Sequence, residues 1–373
     1  MGPGRRRVEN LVNMNHDTAF RNKRVLITGH TGFKGSWLSL WLHDLGAIVR
    51  GYALAPENRG NLYELLGLEH LIESELGDIR DLDRLMRTID EFRPEFIFHL
   101  AAQTLVRCSY QEPKRTFETN IGGSVNVLEA VRRSPCVRSV VYVTSDKCYR
   151  NKEWVWGYRE TDELGGRDPY SASKAAAEVV FSAYLDSFFN DRGGLGVASV
   201  RAGNVIGGGD RSPDRIVPDC IRSLEAERPI ILRNPGATRP WQHVLEPLSG
   251  YIHLALALHD EPKRFSGSWN FGPTPDAAYT VRHLAGKVVA VWGSGRVQCH
   301  SEAGMPHEAS LLNLDISKAR ALLGWGPRWD FNDTVQNTVT WYKLVYNGHD
   351  ALTLSRRQIQ QYEAVKSSVA TAL

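Results

Sequence analysis

The sequence predicts an α/β fold: a doubly wound parallel sheet with helices on both faces, joined to a smaller, discontinuous α/β substrate-binding domain. Three features predict it. Short β-rich runs alternate with helical stretches over the first half of the chain, glycines cluster where the first strand meets the first helix, and the texture turns Gly- and Pro-rich beyond Ala202. Such alternation needs right-handed crossovers, which lay the strands parallel and put helices on both faces.

Lys23 to Thr28 reads as the first strand, and Phe33 to Leu45, with apolar residues at helical spacing, as the first helix. Ala47 to Ala53 follows as a strand, Asp81 to Phe92 as a helix, Glu95 to Leu100 as a strand, Pro113 to Arg133 as a helix and Arg138 to Thr144 as a strand. Asp168-Pro169, a cap followed by a first-turn proline, opens a long helix to Phe189, and Gly196 to Arg201 is another strand. Past Ala202, Gly207-Gly208-Gly209 and Pro213, Pro218, Pro229, Pro235 and Pro240 imply shorter elements and longer loops that close over a ligand. Gln242-His243-Val244 and the helix-like Pro247 to His259 return to the first domain. The expected division is 1–22 as a disordered extension, 23–202 plus about 241–265 as the dinucleotide-binding domain, about 203–240 plus 266–350 as the substrate domain, and 351–373 as a C-terminal helix or tail.

The 373 residues suffice for a sizeable core. A net charge of +3, from 45 Lys and Arg against 42 Asp and Glu, is too small to imply a nucleic acid or an anionic membrane as partner. Cys108, Cys136, Cys148, Cys220 and Cys299 lack metal or redox spacing and fit reduced thiols in a cytoplasm; no metal is expected. No run has the length of a membrane-spanning helix, and the start lacks the apolar core of a signal peptide. Gly-Pro-Gly and Arg5 to Arg7 near the start read as a solvated tail, with Met14 an alternative first residue.

Gly29-His30-Thr31-Gly32-Phe33-Lys34-Gly35 falls between the first strand and the first helix. Its glycines permit a tight turn, a close backbone approach to a pyrophosphate at the helix N-terminus, and tight helix–strand packing, so a Rossmann-type dinucleotide site is expected here. The acid that usually ends the second strand and holds the ribose diol is missing from Arg50-Gly51-Tyr52-Ala53-Leu54. Lys34 and Arg50 are cations that could meet a 2′-phosphate, so NADP stays open beside NAD. Asp78-Ile79 past the third strand is placed to accept from an adenine amine, and Leu100-Ala101-Ala102 past the fourth lets backbone lie against the cofactor.

Two proton-handling stations follow. In Tyr170-Ser171-Ala172-Ser173-Lys174 the four-residue interval puts both long side chains on one helix face. A cationic Lys174 and an oxidised nicotinamide are expected to lower the phenol from its free value of about 10. Ser145, at the end of the fifth strand, supplies a donor to the same substrate hydroxyl. Asp146-Lys147 beside it is a second acid–base pair that plain hydride transfer does not need. Adjacent strand residues face opposite ways, so both reach one ligand only if the backbone turns at Asp146.

These segments resemble the extended short-chain dehydrogenase/reductase family from Lys23 to the helix near Tyr342. Gly29 to Trp37, Thr144 to Tyr149, Arg201 to Asp210 and Arg239 to Val244 are more closely similar to the CDP-glucose branch of its sugar-nucleotide 4,6-dehydratases, whose dTDP and GDP counterparts carry Asp-Glu in place of Asp146-Lys147. The resemblance implies NAD as cofactor, held by Gly29, Thr31, Gly32, Phe33, Gly35, Asp78, Ile79, Leu100, Ala101, Ala102, Thr119, Tyr170 and Lys174. It implies Ser145, Asp146, Lys147, Tyr170 and Lys174 as catalytic residues, with Asp146 the acid at C6 and Lys147 the base at C5. Physical chemistry leaves the reverse assignment open, because an isolated pair prefers carboxylate plus ammonium and the two share one proton. Gln103, Asn204, Arg215, Arg239 and His243 are implied or candidate substrate contacts, His243 alternatively being polar packing, and Trp154 and Trp156 a lid or simply packed aromatics.

A nucleotide sugar, a homodimer or dimer of dimers, a cytoplasmic location and a place in O-antigen polysaccharide synthesis follow from the same resemblance. Other dTDP-, GDP- or UDP-sugar dehydratases, a 4-epimerase or decarboxylase, and a catalytically silent NAD(P)-binding regulator remain alternatives.

Overall fold

A computed structural model of the chain describes residues 16–56, 60–274, 278–299 and 311–365. Seven parallel strands form the central sheet: β1 (Arg24–Thr28), β2 (Ile48–Ala53), β3 (Glu73–Leu76), β4 (Phe96–His99), β5 (Ser139–Val143), β6 (Gly196–Arg201) and β7 (Gly267–Asn270), in the order β7-β6-β5-β4-β1-β2-β3. Val25 stands beside Val49 of β2 and Phe96 of β4, so β1 is the strand from which the chain winds outward in both directions. The crevice at the carboxyl ends of β1 and β4 is where such sheets take ligands.

Period-two alternation sends neighbouring side chains to opposite faces. Leu26, Ile97, Val140 and Val197 pack on one face with Leu85 and Ile89 of α2 (Leu82–Phe92), Val127 of α3 (113–133) and Phe181 of α4 (Pro169–Tyr184). Val25, Ile27, Phe98 and Val141 pack on the other with Trp37 and Leu38 of α1 (Phe33–Asp44) and Leu248 and Ile252 of α6 (Leu245–Asp260). Burial on both faces is why the strands read as near-continuous apolar runs. The expected Pro113–Arg133 helix, α3, is one rod interrupted by a π-turn: Pro113–Phe117, Glu118–Gly123, Ser124–Arg133. The helix expected to Phe189 likewise ends in a π-turn, Leu185–Phe189. Beyond β6 come α5 (Ile216–Glu225), α7 (Val281–Trp292), α8 (Phe331–Tyr346) and α9 (Ala351–Ala364).

Two boundaries differ from expectation. His16–Ala19 is helical and Phe20 is buried against Phe96, so apolar burial claims the end of the segment expected to be disordered; residues 1–15 lie outside the described residues. Gly267–Asn270, expected in the substrate domain, is the edge strand of the main sheet, paired with β6 from Gly267 beside Ala198 to Asn270 beside Arg201. The glycine triplet is a packing device: Gly208 leaves room for the Trp341 ring, and its carbonyl accepts from Trp37 Nε1 at 3.0 Å. Among the described residues no helix is long and apolar enough to cross a membrane.

Candidate active site

A cavity of about 1430 Å³ opens over the carboxyl ends of β1, β4, β5 and β6. Pockets for one small ligand run to roughly 1,000 Å³, so this volume admits a dinucleotide and a second ligand end to end.

At one end lies the glycine loop. Gly29 has φ +79°, and a Cβ there would sit 2.7 Å from Ala101 N; one at Gly35 would overlap the Gly29 carbonyl. Gly32 caps α1 with no side-chain hydrogen bond and no acid follows in the first turn, so the helix N-terminus presents its N–H groups to an anion in the cavity. Thr31, Phe33, Ile79, Leu100, Ala102 and Thr119 line the same end. Asp78 lines it too, although Arg80 already binds its Oδ2 through Nε at 2.9 Å and its Oδ1 through the backbone N–H at 2.9 Å. That guanidinium holds the Asp78 carboxyl below the usual carboxylate range.

The cations offered to a 2′-phosphate are used elsewhere. Arg50 Nε donates to Glu73 at 2.7 Å and its guanidinium lies 4.6 Å from the centre of the Phe92 ring. Lys34 turns toward the catalytic residues, its Nζ 6.0 Å from the centre of the Tyr251 ring. Burial lowers its pKa to about 8, with Arg215 and Lys174 lowering it further and Asp146 opposing them.

The middle of the cavity gathers Ser145, Asp146, Lys147, Tyr170 and Lys174. The turn expected after β5 is a 3-10 turn over Asp146–Cys148, and Ser145 Oγ caps it by accepting from Lys147 N at 3.2 Å. Ser145 Oγ donates to Asp146 Oδ1 at 2.9 Å. Asp146 is buried with its carboxylate pressed on Gly203, while Lys147 is half-buried beside it. The Asp168 cap, accepting from Ser171 N at 2.9 Å, starts α4 so that Tyr170 and Lys174 share its inward face. Burial pushes the Tyr170 phenol up to about 12, opposed by its hydrogen bond with Ser145, and lowers Lys174 to about 8. Among the protein's own contributions, desolvation is the largest influence on the phenol.

Behind this centre, Glu178, one turn past Lys174, accepts from Thr144 Oγ1, from Ser199 Oγ at 2.8 Å and from Arg201 at 2.9 and 2.7 Å. Arg201 also donates to Tyr149 Oη at 2.6 Å, so the residues before and after Ser145-Asp146-Lys147 hang on one buried ion pair. Cys148 is buried, and burial raises its thiol, as packing requires. Asn120, which sequence reasoning missed, accepts from Gln103 N at 2.8 Å and donates to Ser173 Oγ at 2.9 Å, tying the end of β4 to α4. The π-turn points it inward, a common use of such bulges.

Asn204, Arg215 and Arg239 line the far end. Asn204 sits at φ +52°, a conformation Asn tolerates better than most residues. Arg215 is held by Asp210 Oδ2 at 2.9 Å, and Arg107 and Arg233 flank Asp214 at 3.0 and 3.5 Å. The two acids aim a group of guanidinium forks, suited to phosphate oxygens, into the cavity mouth. Arg107 and Arg233 were not foreseen.

Three candidate contacts have partners within the fold. His243 is buried away from the cavity, 4.7 Å from Trp329 and 6.2 Å from Trp37 between ring centres, and burial lowers its pKa to about 3: it is core packing. Gln103 lines the cavity, but its amide donates to Leu105 O at 3.1 Å and Thr116 Oγ1 at 2.9 Å, shaping the loop instead of reaching out. Trp154 stacks on Tyr158 with ring centres 5.2 Å apart, Trp156 leans on Trp154, and neither lines the cavity.

Residues 26–338 match the model of the GDP-mannose 4,6 dehydratase family. The chain belongs to that family. Within it, the chain is 52% identical over 347 residues to a CDP-glucose 4,6-dehydratase of Salmonella typhimurium, covering 92% of this chain and 97% of the relative. Among solved structures it is similar to UDP-glucose 4-epimerase of Thermus thermophilus in complex with NAD, with TM-score 0.71, 28% identity and 86% and 99% of the two chains covered. It is also similar to a double mutant of dTDP-glucose 4,6-dehydratase from Streptomyces venezuelae with NAD bound, with TM-score 0.72, 26% identity and 88% and 99% covered. In this chain Ser145, Tyr170 and Lys174 line the same cavity as the glycine loop, with Asp146, Lys147 and Lys34 beside them.

Proposed function

We propose that the chain is an NAD-dependent hydro-lyase that converts CDP-glucose to CDP-4-dehydro-6-deoxyglucose and water. The observation that carries this is Asp146-Lys147 in the same cavity as Tyr170 and Lys174, in a chain 52% identical to a CDP-glucose 4,6-dehydratase. The glycine loop and the open N-terminus of α1 suit NAD. NAD held by that loop would supply the hydride acceptor and donor for C4 and C6 of the sugar. Tyr170 Oη receives the C4 hydroxyl proton with Ser145 beside it, Lys147 Nζ takes the C5 proton made acidic by the ketone, and Asp146 protonates the departing C6 oxygen. Arg215 and Arg239, with Arg107 and Arg233, hold the substrate diphosphate, and Asn204 its ribose.

NAD is favoured over NADP because two relatives above 25% identity carry it and because Arg50 and Lys34 are engaged away from the adenosine end. A cytoplasmic enzyme fits the free thiols, and the family resemblance supports a homodimer or dimer of dimers that feeds surface-polysaccharide synthesis.

Incubating the protein with NAD and each of CDP-, dTDP-, GDP- and UDP-glucose tests the reading. CDP-glucose alone should lose the mass of one water with no net reduction of NAD. A product of unchanged mass would instead support the 4-epimerase reading that similarity to the Thermus enzyme keeps in view.

A further inference from the structure

We propose that Arg201 and Tyr149 are positioning residues for the elimination step: through them one buried ion pair, Glu178 with Arg201, holds Asp146 and Lys147 in register with Tyr170 and Lys174. The role rests on the dehydratase reading above, in which both stations act on one sugar.

The two stations sit on separate elements. Tyr170 and Lys174 belong to α4, whereas Ser145, Asp146 and Lys147 follow β5. The turn that carries the second station is weakly bonded within itself: Lys147 N lies 3.2 Å from Ser145 Oγ, Cys148 N 3.2 Å from Ser145 O, and Tyr149 N 3.3 Å from Asp146 O. All three exceed the usual length of about 2.9–3.0 Å. The ends of the turn are held more firmly. Glu178 follows Tyr170 and Lys174 at the same four-residue interval, so it shares their face of α4. Its carboxylate accepts from Thr144 Oγ1, just before Ser145, and grips Arg201 at two points, from Nε at 2.9 Å and Nη2 at 2.7 Å. The third arm of that guanidinium, Nη1, donates to Tyr149 Oη at 2.6 Å, just past Lys147 and Cys148. The Tyr149 hydroxyl donates in turn to Asn270 Oδ1 at 2.9 Å. Short bonds to an ionised group are the strong ones, and a planar guanidinium passes any shift of one arm to the others.

Tyr149 acts by position and not by proton transfer. Its hydroxyl gives its proton to Asn270 and accepts from Arg201, neither of which lines the cavity, and burial pushes the phenol up. Before the turn, Thr144 stays in the sheet through its backbone N–H, which donates to Val200 O at 2.9 Å, so Ser145 has a fixed neighbour. Past the turn the backbone pairs with a loop outside the sheet: Tyr149 bridges Leu164, and Gly165 N donates to Cys148 O at 2.8 Å. The Tyr149 side chain ties this looser end to β6 through Arg201 and to β7 through Asn270. Slack there is felt first by Lys147 and Asp146. Loss of the tether should therefore spare C4 oxidation, which uses Ser145, Tyr170 and Lys174. It should impair removal of the C5 proton and departure of the C6 oxygen, which use Lys147 and Asp146.

Single turnovers of the NAD-loaded enzyme in excess over CDP-glucose read the two steps separately, by reduced-nicotinamide absorbance and by the mass of the acid-quenched sugar nucleotide. Tyr149→Phe keeps the buried ring and removes the hydroxyl. C4 oxidation should run close to the wild-type rate while elimination slows at least about tenfold, part of the roughly 10²-fold that a displacement of about 1 Å costs at a reacting group. Reduced nicotinamide and the 4-ketone of CDP-glucose, lighter by two hydrogens, should then accumulate together. Arg201→Lys leaves a charge for Glu178, but a point charge cannot span Glu178 and Tyr149 at once. It should show the same split, and it decides the matter if Tyr149→Phe does not fold. A purely structural role would reduce the folded fraction and change both steps by one factor. Equal slowing of oxidation and elimination, or elimination at the wild-type rate, would overturn the positioning role. The wild-type arm reports on the underlying reading separately: product lighter by one water supports it whatever the variants do, and a sugar nucleotide of unchanged mass removes both.

Discussion

Asp146 owes its position to a residue with no side chain. Its carboxylate lies where a Cβ on residue 203 would be, so the glycine of Ala202-Gly203-Asn204 is a condition of the acid's placement. Gly203→Ala should leave the fold intact, because Gly203 lines the cavity and the rotation is confined to Asp146. Turnover should fall about 10²-fold, the usual cost of a displacement of about 1 Å at a reacting group. Unchanged kcat for CDP-glucose, with NAD binding intact, would show that the carboxylate has room to spare. At this scale the local motifs were legible: the glycine loop, Ser145-Asp146-Lys147 and Tyr170 with Lys174 are sequence neighbours, and all line the cavity. What was not legible depends on partners distant in sequence. Lys34 faces the catalytic centre because α1 packs on α6, which brings Tyr251 beneath its ammonium. For His243 and Gln103 the sequence left alternatives open, because a polar residue's identity does not say whether its partner is a ligand, a loop carbonyl or an aromatic ring.

Strands and helices were legible where burial writes a period into the chain, and illegible where it does not. β1, β2, β4, β5 and β6 are apolar because both faces are covered. β7 escaped because Gly267-Ser268-Trp269-Asn270 acquires strand character only by pairing with β6. The π-turn at Glu118–Gly123 leaves the polarity pattern unchanged and so could not be foreseen. What joins these elements is the Glu178–Arg201 pair, 1% and 2% exposed, linking α4 to β5 through Thr144, to β6 through Ser199 and to the Tyr149 loop. Removing one member of a buried pair strands the other charge, at about 3–5 kcal/mol. Glu178→Gln should therefore lower unfolding free energy by about that amount in urea titrations. A loss below about 1 kcal/mol would mean that Tyr149 Oη and the Glu160 carbonyl satisfy Arg201 unaided.

Across the whole molecule the cavity's two walls are fastened from behind by α6, which joins the sheet to the C-terminal segments. Ser139 Oγ of β5 donates to Ala255 O at 2.8 Å, and at the other end of α6 Glu246 accepts from Trp329 N at 2.7 Å, Arg328 N at 3.0 Å and Tyr362 Oη of α9 at 2.7 Å. α9 is fixed in turn to α1 by Arg356 on Asp44 and by Trp41 Nε1 on Glu363 at 2.8 Å. Burial raises the Glu246 carboxyl from an ordinary 4.5 to about 7, against the pull of these donors. The folded state therefore holds a proton that the unfolded chain releases, and stability from this group is present below about pH 4.5 and lost as pH rises through about 7. A shift of that size corresponds to about 3 kcal/mol. Buried His30, His99 and His243, all lowered by desolvation, slope the other way below about pH 6.5, so the wild-type curve alone mixes both effects. Comparison with Glu246→Gln separates them, because glutamine keeps the acceptor oxygen and never ionises. The stability of the variant relative to wild type should climb by about 3 kcal/mol between about pH 4 and about pH 8. A difference that stays flat across that range would mean that Glu246 is ionised when folded, with its three donors outweighing desolvation.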